Sequence, residues 1–200
     1  MKFGISLNAK KSHFALEEGK LLRDIISKDG IRTNPARVEA IGQIALPRKK
    51  KVVQSFIGKV NFLRRFIIDC VEKMRNITEM LRKGSEIKWT SEARKFFENI
   101  KIALTQAPVL KCLNFEKDFQ IYSSASKHTI AGVLLQKNEE GFEQPIAFYS
   151  KTLRDAPLKY NILEKQAFAL IKALKDFRVY ILHSHTIAYV PSIVVKDILT

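Results

Sequence analysis

The sequence is short of acid. Its 200 residues carry 35 Lys and Arg against 20 Asp and Glu, a formal net charge of +15. A disordered acidic tail is excluded, because 46% of the residues are also hydrophobic and supply a core. Cysteine is nearly absent. Only Cys70 and Cys112 occur, with no CxxC pair, which excludes a disulfide framework and a cysteine zinc site. No apolar run approaches the ~18 to 20 residues that a membrane-spanning helix needs. No G-x-x-x-x-G-K occurs, so a P-loop is excluded. Internal repeats, low-complexity stretches and a secretory leader pattern at Met1 are also missing. These absences lead us to expect a basic cytoplasmic or nuclear protein with reduced thiols and no membrane contact, and nucleic acid is the first partner to consider.

What is present is unevenly placed. Residues 1–118 hold 25 basic and 13 acidic side chains, an excess of +12, whereas residues 119–200 hold 10 and 7. The densest run is Arg48-Lys49-Lys50-Lys51, followed by Lys59, Arg64, Arg65, Lys73 and Arg75. Such a run is either a solvated face or a surface that tracks phosphates.

Hydrophobic spacing divides the chain. Residues 1–33 give two short strand-like stretches, with a turn at Glu17-Glu18-Gly19-Lys20. A piece of that size buries no core of its own and must pack on something else. Asn34-Pro35 opens a helix, by cap and fixed first-turn φ. Val53, Phe56, Ile57, Val60, Leu63 and Ile67 recur at spacings of three and four, which predicts one helix over about residues 51–70. Further helices are predicted over about 74–81 and from Thr90, an N-cap, to the Ala107-Pro108 stop. Beyond Asp118 the pattern alternates. Strands are predicted over 119–123, 130–136, 146–150 and 186–190, with a helix over about 160–178. Trp89, Phe97 and the Phe56/Leu63 stripe read as core, whereas Phe62 flanks the Arg64-Arg65 pair and is available to meet a base.

Several local motifs then match one family in order. Leu7-Asn8-Ala9-Lys10-Lys11-Ser12-His13-Phe14 is similar to the LNPKKCxF segment, and Leu21 to Ile31 to the LGHxxSxxGI primer-grip segment, of reverse transcriptases. Gln54-Ser55-Phe56-Ile57-Gly58 and Asn61-Phe62-Leu63-Arg64-Arg65-Phe66-Ile67 resemble the thumb and connection signature. Residues 119–136, Pro145-Ile146-Ala147-Phe148-Tyr149-Ser150 and 160–180 resemble a retroelement RNase H domain. The chain thus resembles the Pol polyprotein of Ty3/gypsy-type LTR retrotransposons, particularly those of plants. That resemblance implies an α+β chain with a reverse-transcriptase palm remnant at 1–33. A thumb/connection-like helical module follows at 34–118. An RNase H-like mixed sheet with helix takes 119–200, incomplete at its C-terminal end. The parent activities are RNA-directed DNA polymerase, whose aspartates belong upstream, and ribonuclease H.

The resemblance also implies what has been lost. RNase H chemistry is two-metal hydrolysis, and Mg²⁺ needs carboxylate oxygens. Where the family writes TDAS, EKE and TDH, this chain has Ser124, Gln166 and Pro191 at the metal-binding positions. Glu164 cannot simply replace Gln166, since two residues on a helix are about 200° apart around its axis. No catalytic set is therefore expected to be intact, and no cofactor is expected to bind, although Mg²⁺ serves the parent family. Residual hybrid cleavage through Asp197, or a product with no function at all, are the alternatives. His183 and His185 lack acidic neighbours in sequence, and an Asp118–Ser124–His128 triad has nothing to enforce it. The candidate nucleic-acid contacts are Lys10, Lys11, Lys49, Lys50, Lys51, Lys59, Arg64 and Arg65. The expected partners are an RNA–DNA hybrid or primer–template, and the rest of a Pol polyprotein. Arg23-Asp24 stands where the family has Gly-His, so a side chain replaces a glycine at the primer grip.

Overall fold

A computed structural model describes residues 8, 10, 12, 14–191 and 195–197. Three short strands come first: β1 (Glu18–Leu21), β2 (Asp24–Ser27) and β3 (Gly30–Thr33), an antiparallel meander. The expected turn at Glu17-Glu18-Gly19-Lys20 is instead the entry to β1. Leu21 pairs with Asp24, so the chain reverses over Leu22 and Arg23 alone, and both take positive φ, +47° and +82°. A two-residue hairpin of this hand requires it, although neither residue type favours it. The meander does not stand alone. Ile31 and Leu110 exchange backbone hydrogen bonds of 2.7 and 2.8 Å. A Cβ on Gly30 would lie 2.2 Å from the Leu110 carbonyl oxygen, so only glycine admits that approach.

The helical module follows. Asn34 caps α1 (Pro35–Gly42) by accepting from the Ala36 N–H at 3.1 Å. The predicted long helix is two pieces and a turn: α2 (Lys50–Phe62), a 3₁₀ turn (Arg64–Phe66), and then α3 (Cys70–Glu79) on a new axis. The apolar stripe reads through because Leu63 and Ile67 still face the same core, so periodicity hides the break. Thr90 caps α4 (Ser91–Thr105), accepting from the Ala93 N–H at 3.1 Å. Val53, Phe56, Val60, Cys70, Ile77, Phe97 and Ile100 meet in one core, with Trp89 at its margin.

The second half is a four-stranded sheet in the order β6-β5-β4-β7. Its strands are β4 (Phe119–Ala125), β5 (Thr129–Lys137), β6 (Glu143–Thr152) and β7 (Thr186–Tyr189). β4 to β6 are antiparallel, and β7 lies parallel to β4. Between β6 and β7 run α5 (Ala156–Lys159) and α6 (Ile162–Ile181). α6 packs Leu170, Ala173 and Phe177 onto Phe119, Ile121 and Leu134 of the sheet. The fold is α+β, as the sequence implied. The halves are tied at several points. Val71 N–H donates to Ser150 Oγ at 3.2 Å, and Glu72 Oε2 accepts from Thr129 Oγ1 at 2.7 Å and Ser126 Oγ at 3.4 Å. Among the described residues, no helix is long and apolar enough to cross a membrane.

Candidate nucleic-acid interface and RNase H-like site

The cationic run sits at the start of α2. Lys49 is its N-cap residue and makes no side-chain cap; Lys50 and Lys51 open the first turn, which holds no acid. Cations there oppose the helix dipole, so this end gathers positive charge from side chains and backbone together. Lys49, Lys50, Lys51, Lys59 and Arg64 are exposed. None has a carboxylate within 4.0 Å among the described residues, and Lys50 Nζ reaches only the Arg82 carbonyl at 3.2 Å. Arg65 is different. It pairs with Asp24, whose side chain is 11% exposed, and ties the 3₁₀ turn to β2. Lys10 is exposed, and Lys11 lies outside the described residues.

Two sites were not legible in sequence. Phe62, 46% exposed at the end of α2, carries Arg37 Cζ at 4.4 Å and Arg23 Cζ at 5.0 Å from its ring centroid. Arg37 comes from α1 and Arg23 from the β1–β2 turn, so no local spacing signals their meeting. Cationic side chains also continue toward the sheet. A cavity of about 590 Å³ between α3 and the segment after β6 is lined by Arg75, Arg82, His128 and Arg154 together with Glu79 and Asp155, and Arg75 pairs with Glu72 at 3.4 Å and Arg82 with Glu79 at 3.9 Å. An adjoining one of about 650 Å³ adds Arg64, Lys151 and Lys172.

On the RNase H-like side, the strand register brings two of the three implied metal positions alongside. Tyr122 of β4 pairs with Tyr189 of β7, their rings stacked at 4.5 Å. Ser124 and Pro191 each lie two residues beyond that pair, and both are exposed. Gln166 is half-buried on α6, the helix that covers β4. A hydroxyl, an amide and a proline ring do not fit Mg²⁺, which takes charged oxygens. Glu164 is also engaged. Its carboxylate accepts from the Asn161 N–H at 2.9 Å while Asn161 Oδ1 accepts from the Glu164 N–H at 2.9 Å, a reciprocal cap on α6. Among the described residues, no three His, Cys, Asp or Glu side chains stand together as a metal site.

One reading changes. His185 does have an acidic neighbour, since its Nδ1 lies 3.0 Å from Asp118 Oδ1. That contact brings β4 and β7 together at their starts, and no sequence spacing reveals it. The Asp118–Ser124–His128 trio is not assembled. Asp118 precedes β4 and Ser124 lies near its far end, six residues or about 20 Å along a strand.

Ionisation follows burial and hydrogen bonding. Burial pushes the Cys70 thiol from its ordinary 9.0 up to about 11, so it is no nucleophile. The Tyr122 hydroxyl donates to Glu143 at 2.7 Å, and this holds its proton to about 12. Burial beneath α6 does the same for Tyr149, also to about 12.

A helical module leading into an RNase H-like sheet is the architecture of a reverse-transcriptase segment, and comparison with known proteins agrees. Residues 89–188 match the RNase H-like domain found in reverse transcriptase. The chain is 33% identical over 179 residues to the retrovirus-related Pol polyprotein from transposon 297 of Drosophila melanogaster, and 30% identical over 175 to the transposon Tf2-3 polyprotein of Schizosaccharomyces pombe. These stretches cover 89% and 88% of this chain but only 16% and 13% of those polyproteins. Among solved structures it is similar to the foamy viral protease-reverse transcriptase in complex with double-stranded DNA. The TM-score is 0.77 at 29% identity, over 94% of this chain and 40% of that one. The same viral protein in complex with an RNA/DNA hybrid gives 0.76 at 30%, over 92% and 25%. The chain belongs to the RNase H-like domain family of reverse transcriptases, and over most of its length it is similar to one stretch of retrotransposon Pol polyproteins.

Proposed function

We propose that this segment grips an RNA–DNA hybrid or primer–template on the exposed face of α2 and does not itself cleave it. The observation that carries this reading is the row Lys49, Lys50, Lys51, Lys59 and Arg64, exposed and without carboxylate partners among the described residues. Unneutralised cations along α2 and the 3₁₀ turn that follows it release counterions when they meet phosphates, and that is the main source of such binding. Lys151 and Lys172, which line the second cavity with Arg64, extend the cationic track toward the sheet, and similar viral structures hold duplexes. Lys10 and Lys11 would add contacts from the N-terminal side. Hydrolysis is absent in this reading because Ser124, Gln166 and Pro191 offer a metal no charge. The remaining activities would come from the rest of a Pol polyprotein, in the cytoplasm or nucleus.

The test is a titration of the full chain with a labelled RNA–DNA hybrid at several salt concentrations, with Mg²⁺ present. About five phosphate contacts give a log K against log salt slope near −4.5. Replacing Lys49, Lys50 and Lys51 by Ala is expected to make that slope shallower by about 2.7. The hybrid should remain uncut. A flat salt response overturns the binding reading, and Mg²⁺-dependent cleavage abolished by Asp197→Ala overturns the loss of hydrolysis.

A further inference from the structure

We infer that the cavity of about 650 Å³ at the seam between the helical module and the sheet binds a small free phosphate monoester with a flat apolar body, such as a nucleoside monophosphate. Its walls come from both halves of the molecule. Arg64 of the 3₁₀ turn and Val71 of α3 stand on one side, with Lys151 of β6 and Phe168 and Lys172 of α6 on the other. The bond from the Val71 N–H to Ser150 Oγ, 3.2 Å, joins two of the lining residues across the seam. The volume falls within the roughly 300–1,000 Å³ of small-molecule sites.

The lining selects the chemistry. Arg64, Lys151 and Lys172 have no carboxylate within 4.0 Å among the described residues, and neither has Arg154, which also lines the cavity. Against these cations stands one acid, Asp155, so the site favours a ligand with two negative charges. A phosphate monoester is such a dianion near neutral pH. Lys172 Nζ lies 5.1 Å from the centroid of the half-buried Phe168 ring, which holds that charge beside an apolar surface. Leu153, Ile130 and Pro157 extend the apolar wall. A strand crossing the surface offers phosphate and sugar and has no use for such a wall, whereas a flat ring lies against it. Asp155 stands between β6 and α5 at φ +54°, a backbone that a non-glycine residue adopts only under strain. Its carboxylate makes no cap on α5 and meets no Lys or Arg within 4.0 Å among the described residues. It is left to accept from a ligand hydroxyl, as a sugar carries. The site shares Arg64, Lys151 and Lys172 with the cationic track, so ligand and strand compete for them, but it stands without the duplex-binding reading.

The test titrates the full chain with AMP, adenosine and inorganic phosphate by calorimetry at low salt. AMP is expected to saturate one site, with adenosine and inorganic phosphate each about tenfold weaker or more, because each fills only part of it. Lys151→Gln and Lys172→Gln should each weaken AMP about tenfold. Phe168→Leu should weaken AMP more than inorganic phosphate. Thermal unfolding of each variant establishes that it is folded, and AMP should raise the melting temperature of the wild type more than that of the Gln variants. Amide NMR shifts on adding AMP should appear at both Val71 and Leu153, one from each half. AMP that does not bind, or that binds both Gln variants as tightly as wild type, overturns the site. Inorganic phosphate as tight as AMP shows a bare anion site and overturns the proposed ligand. AMP binding that disappears when Lys49, Lys50 and Lys51 become Ala shows adherence to the α2 row and also overturns it. AMP binding by a chain whose hybrid binding has no salt dependence upholds this site and overturns the α2 reading alone.

Discussion

At the residue scale, Leu22 and Arg23 show a local choice overruled. Both occupy the left-handed region that L side chains avoid, because the pairing of Leu21 with Asp24 leaves two residues to close the hairpin. Arg23→Gly is therefore expected to raise stability by about 1 kcal/mol, and the melting temperature by about 2–4 °C. Differential scanning calorimetry measures this. Turn chemistry misleads here for a physical reason. Glu17-Glu18-Gly19-Lys20 has the composition of a turn, but a sheet partner is available, and Gly19 pairs with Ile26 in an ordinary ladder. Arg37 and His185 were illegible for another reason. Each acts on a residue brought close only by the tertiary fold.

At the element scale, α2 is the piece whose stability and surface pull in different directions. Its buried side was legible from period alone, as were the caps at Asn34 and Thr90. The change of axis after Phe62 was not, because a 3₁₀ turn carries the stripe onward without an error in spacing. On the exposed side Gly58 interrupts a helix where a Cβ would meet nothing within 4 Å. Mid-helix glycine costs about 1 kcal/mol relative to alanine, and nothing inside the protein requires it. Gly58→Ala is expected to raise the urea unfolding free energy by about that amount. It should also lower duplex affinity, by placing a methyl group where a strand would approach the helix backbone. A urea melt and a hybrid titration on the same preparation check both halves.

At the scale of the whole molecule, two cores meet across a polar seam centred on Glu72, which accepts from Thr129 and Ser126 of the sheet. The alternation after Asp118 made the sheet legible, and the ordered motifs made the family so. The seam was not legible, because it joins side chains 54 and 57 residues apart. Alkaline pH probes the assembly. Cys70, Tyr149 and Tyr122 all hold their protons to higher pH when folded, the first two through burial and the third through its bond to Glu143. Their contribution is complete below about pH 9 and is lost as pH rises through the folded values of about 11 and 12. The urea midpoint should therefore fall steadily above pH 9, and Cys70→Ala should flatten the first part of that fall.

The register of β4 and β7 has one more consequence. An RNase H site with its acids in place crowds negative charge between two strands and a helix, and a divalent cation relieves the crowding. Such a protein has its folding equilibrium linked to the concentration of that ion. With Ser124 and Pro191 at the ends of the paired strands and Gln166 on the helix above, no repulsion needs relief. In the reading proposed above, the chain's folding is expected to be independent of magnesium, so its urea midpoint should not move when Mg²⁺ is added or chelated.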